Sequence, residues 1–105
     1  MAGVVRNHTQ KTLWVVETDT GPARAHKLGP NRKSPAGVDA DGVQTVDDTP
    51  ISGHTSWWKV RDINTADVNQ NGAQLTIDCF LCPAVQENEF GPVTFDSSPN
   101  WGEPL

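Results

Sequence analysis

The chain has 105 residues, 35% of them hydrophobic and 20% charged, with four Trp, three Phe and a formal net charge of -5. That length suits one domain, spanning residues 1–105, with one core, and the aromatic and β-branched content exceeds that of a disordered chain. The acidic balance disfavours nucleic-acid binding through the phosphate backbone, which requires Lys and Arg to release counterions, and it repels anionic membranes.

Eight Pro and nine Gly are scattered along the chain, leaving few windows in which a helix would repay its costly nucleation. The N-terminal M-A-G-V-V-R-N-H-T-Q-K-T lacks the apolar core of a secretion signal, and no apolar run approaches the roughly 20 residues needed to span a bilayer. A cytoplasmic protein is expected. Val4–Arg6 supplies a short strand, and Thr12–Thr18 (T-L-W-V-V-E-T) a longer one with apolar side chains on both faces, as in a strand between packed layers. After the turn signal Asp19-Thr20-Gly21-Pro22, Ala23–Leu28 returns as a strand.

Residues 29–53 form the longest irregular region, with Val43–Val46 as its one extended piece; so long a loop is an interaction loop or hides an edge strand. In Ser56–Ile63 (S-W-W-K-V-R-D-I), alternation puts Trp58 and Val60 on a buried face and Trp57, Lys59 and Arg61 on the other. Gln74–Leu81 follows, with Leu75, Ile77, Cys79 and Leu81 on one face. Val93–Asp96 precedes a tail over 97–105. Six to eight short strands with frequent turns predict an all-β fold, a small antiparallel β-sandwich or barrel with long loops.

Three groups of residues invite a chemical reading. In D-V-N-Q-N-G-A-Q-L-T-I-D, Asp67–Asp78, oxygen-bearing side chains fall at positions one, three, five and twelve with glycine at six, the order of a helix-loop-helix calcium loop. The run D-V-N-Q-N-G also resembles the calcium segment of dockerin modules, without the duplicated segment and helix of that family, and its function is not carried over. The flanks alternate like strands, position eight is Gln74, and Asn71-Gly72 favours a turn with positive φ. A helical turn over 66–71 capped by Gly72 is the competing local form. Asp39-Ala40-Asp41-Gly42 with Asp47-Asp48 is a second oxygen-rich stretch, otherwise read as a solvated turn.

Cys79-Phe80-Leu81-Cys82 is a single C-x-x-C, half of a zinc site or a redox pair. A continuing strand would put the sulfurs on opposite faces, whereas a turn before Pro83 would bring them together. His8, His26 and His54 lack paired-ligand spacing. His54, near Ser52, Thr55, Ser56 and Asp47 or Asp48, is an acid–base candidate or a loop hydrogen-bonder. No G-x-S-x-G elbow or phosphate loop is present.

The binding residues singled out are Trp57, Lys59 and Arg61 as an aromatic flanked by cations, Trp101 as an anchor in the tail or a cap on the core, and Asp39 and Asp41 as contacts for a basic protein. The expectation is a noncatalytic domain recognising a protein partner, in the manner of an inhibitor or immunity-type protein for a basic partner, with no cofactor. The alternatives are a carbohydrate- or lipid-binding β-module using exposed Trp, and a metal-dependent enzyme or calcium-binding domain.

Overall fold

The computed structural model describes residues 2–19 and 21–105; Met1, and Thr20 in the expected turn at 19–22, lie outside them. Ten strands follow in order: β1 Val4–His8, β2 Leu13–Glu17, β3 Arg24–Leu28, β4 Arg32–Lys33, β5 Gly42–Thr45, β6 Trp58–Lys59, β7 Thr65–Asn71, β8 Gln74–Asp78, β9 Thr94–Asp96 and β10 Glu103–Pro104. The described residues contain no helix. The all-β expectation holds.

The strands form two open five-stranded sheets packed together, in the orders β10-β4-β1-β7-β8 and β6-β5-β2-β3-β9. The architecture is therefore sandwich-like and not a closed barrel. Two details of the expectation are corrected. The strands number ten among the described residues, not six to eight, because the sequence of β4, β7 and β10 has the character of loop or tail. The sheets are mixed, not antiparallel, because β1 pairs parallel with β7 and β3 parallel with β9. Each parallel pair is separated in sequence by strands of the opposite sheet, which supply the crossover that parallel neighbours require.

Between the sheets lies the main core of Val5, Leu13, Val15, Leu28, Ala40, Val43, Ile51, Val60, Ala66, Val68 and Leu75. A second cluster, Val16, Ala23, Ala25 and Trp57, sits on the outer face of the second sheet, with Trp14, Val85, Phe90 and Val93 packed against it. This explains the doubly apolar β2: Leu13 and Val15 face the first cluster, and Val16 the second.

The irregular region 29–53 contains β4 and β5, and the tail contains β10, which pairs with β4 at the sheet edge. Asp67–Asn71 is strand rather than helical turn, and β7 and β8 close directly on each other with Asn71 opposite Gln74. The two-residue turn is Gly72-Ala73, one residue later than expected, with Gly72 at φ 62. Glycine at the first central position with φ > 0 is what a type II′ hairpin needs.

Candidate functional site

The chain's chemistry gathers at one end of the sandwich, where β1, β5 and β7 begin and β2, β6 and β8 finish. Gly3, just before β1, donates its amide to Asp39 Oδ1 (2.7 Å), and the Asp39 amide donates to Asp19 Oδ2 (2.9 Å). Asp41 accepts from the Thr18 hydroxyl (3.0 Å). Burial, foremost, pushes the Asp39 carboxyl up to about 6; the Gly3 amide opposes this, while a hydrogen bond with Asp62 and the charges of Asp41 and Asp62 add to it. Asp41 is raised too, first by burial, against its Thr18 bonds and with the charges of Asp19 and Asp62. The acidic loop residues thus divide: Asp39 and Asp41 join Asp19 and Asp62, whereas Asp47 bonds Lys11 (2.8 Å) elsewhere.

Beside the acidic group stand two neighbouring loops, the Arg61–Asn64 turn and the Cys79–Cys82 turn. Val4 N–H donates to the Asn64 carbonyl (2.9 Å), and Asn64 Nδ2 donates to the Phe80 carbonyl (2.7 Å), tying both loops to β1. They carry Ile63, Phe80 and Leu81 at 67%, 75% and 70% exposure, three of the five large hydrophobic side chains exposed among the described residues. Ile63 (φ 66) and Leu81 (φ 55) occupy left-handed backbone. For bulky residues this costs of order 1–3 kcal/mol each and persists only when the surroundings impose it.

β8 stops at Asp78, so Cys79–Cys82 turns instead of alternating; the Cα atoms are 5.6 Å apart and the sulfurs are bonded. The strand expected to run to Leu81 therefore ends three residues early, and Leu81, expected to share a face with Leu75, Ile77 and Cys79, is in solvent. A shallow cavity of about 460 Å³ lies against this turn, lined by Arg61, Cys79, Leu81, Cys82 and Pro83.

Of the residues singled out from sequence, Arg61, Asp39 and Asp41 meet at this end. Trp57 does not join them. It lies on the face opposite Trp58 and Val60, as expected, but that face is covered: Trp57 is 1% exposed, edge-on to Phe90 with centroids 5.7 Å apart, while Trp58 is half-buried against the main core and donates Nε1–H to the Ile51 carbonyl (3.0 Å). The reason is a covering layer: Val85, Phe90 and Val93 of the 83–93 segment pack over the face that Trp57 would have shown. Lys59 is paired with Glu89 (2.8 Å).

Trp101 folds back on the main core and stacks on His26, with centroids 4.5 Å apart and planes 4° off parallel; His26 Nε2 is 2.9 Å from Glu17 Oε2. Arg32 fastens this tail by donating to the Asn100, Trp101 and Gly102 carbonyls. The aromatic-and-cation arrangement expected at Trp57 occurs instead at Trp14, with Lys27 Nζ 5.6 Å from its centroid and Phe95 edge-on at 5.0 Å. Alternation in β2 and β3 was the available signal: Trp14 and Lys27 are register partners.

Asp67 sits on a strand with its carboxylate held by Arg6 (2.6 and 2.9 Å) and His8 (2.7 Å). The Arg6 bonds, chiefly, hold Asp67 below the usual carboxylate range. His54 Nε2 lies 3.0 Å from the Val85 carbonyl, a loop hydrogen bond. Among the described residues no three His, Cys, Asp or Glu side chains converge so as to hold a metal ion, and no helix is long and apolar enough to cross a membrane. No family model, curated protein or solved structure matches this chain.

Proposed function

We propose that this is a noncatalytic recognition domain that docks its Ile63–Phe80–Leu81 end onto a protein partner offering an apolar pocket with a basic rim, as an inhibitor or immunity-type protein for a basic partner would. The observation that carries the reading is the pair of linked loops, which hold three large apolar side chains in solvent at a cost in backbone strain. Side chains of this kind act as anchors when a partner's pocket desolvates them. The neighbouring Asp19, Asp39, Asp41 and Asp62, with the net charge of -5, supply the potential that steers a basic partner and rejects an acidic one.

A photo-crosslinking phenylalanine at position 80, with the same group at Ala73 on the distant hairpin as control, tests it. The expected outcome is salt-sensitive crosslinking to a protein from position 80 alone. Capture should fall by about tenfold or more in a Phe80→Ser, Leu81→Ser double variant, the loss typical of interface anchors. Equal crosslinking from both positions, or undiminished capture by the double variant, overturns the proposal.

A second reading rests on a different observation. Trp14, half-buried with Lys27 and the half-exposed Phe95 around it, makes an aromatic platform of the type on which carbohydrates stack. Glycan-dependent quenching of Trp fluorescence that Trp14→Ala abolishes would establish it.

A further inference from the structure

The docking end contains a covalent feature that recognition alone does not require. Cys79 and Cys82 are bonded within one turn, and the two residues between their sulfurs are Phe80 and Leu81, the most exposed large apolar side chains in the described chain. Both cysteines are half-buried, Cys79 against the main core, and both line the shallow cavity beside Arg61 and Pro83, the side from which a small thiol would reach them. Disulfides that a small thiol can reach are the ones that exchange, and Arg61, the one cationic residue lining this cavity, is the group available to stabilise a departing thiolate. The same turn holds Leu81 at φ 55, a conformation an aliphatic residue adopts only under constraint.

We propose that Cys79–Cys82 is a thiol–disulfide exchange site for small thiols, and that opening it releases the Leu81 turn and withdraws the Phe80–Leu81 tip. A small thiolate attacks one sulfur, forming a mixed disulfide and breaking the Cys79–Cys82 bond; the freed cysteine leaves as a thiolate beside Arg61 and takes up a proton. A second small thiol resolves the mixed disulfide. The balance is one protein disulfide and two small thiols giving two protein thiols and one small disulfide, with both thiol protons ending on Cys79 and Cys82. Opening removes the covalent reason for the turn. Leu81 can then relax to negative φ, and the Phe80 carbonyl is no longer held against Asn64 Nδ2. That this alters docking rests on the reading above; the exchange chemistry does not.

The test uses the whole oxidised chain and reduced glutathione, with no partner. Alkylation and mass measurement should show two labelled cysteines while the β-sheet circular dichroism stays unchanged. Arg61→Ala should slow opening by about threefold, as for a leaving thiol whose pKa rises by about one unit. The Leu81 amide–Hα coupling, which reports φ, should change on opening, and the Cys79→Ser, Cys82→Ser double variant should show the opened value without glutathione. Labelling only after the sheets unfold, or at a rate indifferent to Arg61, overturns the exchange site. Full labelling with Leu81 still at positive φ overturns the withdrawal of the tip. Neither outcome depends on whether a docking partner exists.

Discussion

Asn7 shows how much one buried polar side chain carries. It is 0% exposed, its Nδ2 donates toward the Lys11, Leu28 and Gly29 carbonyls, and its Oδ1 accepts from the Thr9 amide and hydroxyl. It thereby joins the β1–β2 turn to the end of β3. Asn7→Ala leaves those groups unpaired in the interior, where each orphan costs about 1–3 kcal/mol; a loss of at least about 2 kcal/mol is expected in urea unfolding. Asn7→Asp should be worse, since a carboxylate would face three carbonyl oxygens. Asp39 predicts the opposite sign. Asp39→Asn keeps an acceptor for the Gly3 amide and removes a carboxylate disfavoured by burial, so the variant should be more stable than the parent at pH 7 and equal to it near pH 4.

The 83–93 segment has little regular structure, yet it behaves as a third layer over the second sheet. Lys59 N–H donates to the Pro83 carbonyl and Val85 N–H to the Trp57 carbonyl, while Ser56 bonds Glu87 and Lys59 bonds Glu89. Phe90 docks where Gly42 leaves room: a Cβ built at Gly42 would lie 2.7 Å from the Phe90 ring and 2.9 Å from Val16 Cγ1. Gly42→Ala should therefore lift Phe90 off Trp57 and cost about 1–3 kcal/mol, the range for overpacking. Amide exchange should accelerate across 83–93 and leave β1, β7 and β8 protected. Strand β7 teaches a related lesson. Thr65–Asn71 buries only Ala66 and Val68, and Asp and Asn are poor strand formers, so its extended form comes from parallel pairing with β1 and the Gly72-Ala73 hairpin rather than from its own preference.

Across the whole molecule, two sets of carboxylates set opposite pH trends. Asp39, pushed up to about 6, binds its proton more tightly in the folded chain, so its contribution is complete below about pH 4 and is lost as pH rises through 6. Asp41 acts in the same direction. Asp47, held to about 2 chiefly by the Lys11 hydrogen bond, contributes above pH 4 and loses that contribution as pH falls toward 2; Asp67 shares this direction. By linkage, stability should be greatest near pH 4–5 and decline on both sides, which denaturant midpoints across pH 2–8 will show. Asp39→Asn should flatten only the upper limb. The sequence by itself determined the all-β class, because scattered Gly and Pro deny helix nucleation and β-branched alternation is a local property. It also marked Arg61, Asp39 and Asp41 as chemically notable, and the C-x-x-C as a pair that a turn would join. Tertiary structure alone decided that these meet at one end, that β1 and β7 run parallel, and that Trp57 is covered. The physical reason is distance along the chain: what buries Trp57 is Phe90, and what holds Phe80 and Leu81 outward is a turn braced by Asn64, and neither contact is written in the periodicity of the strand it acts on.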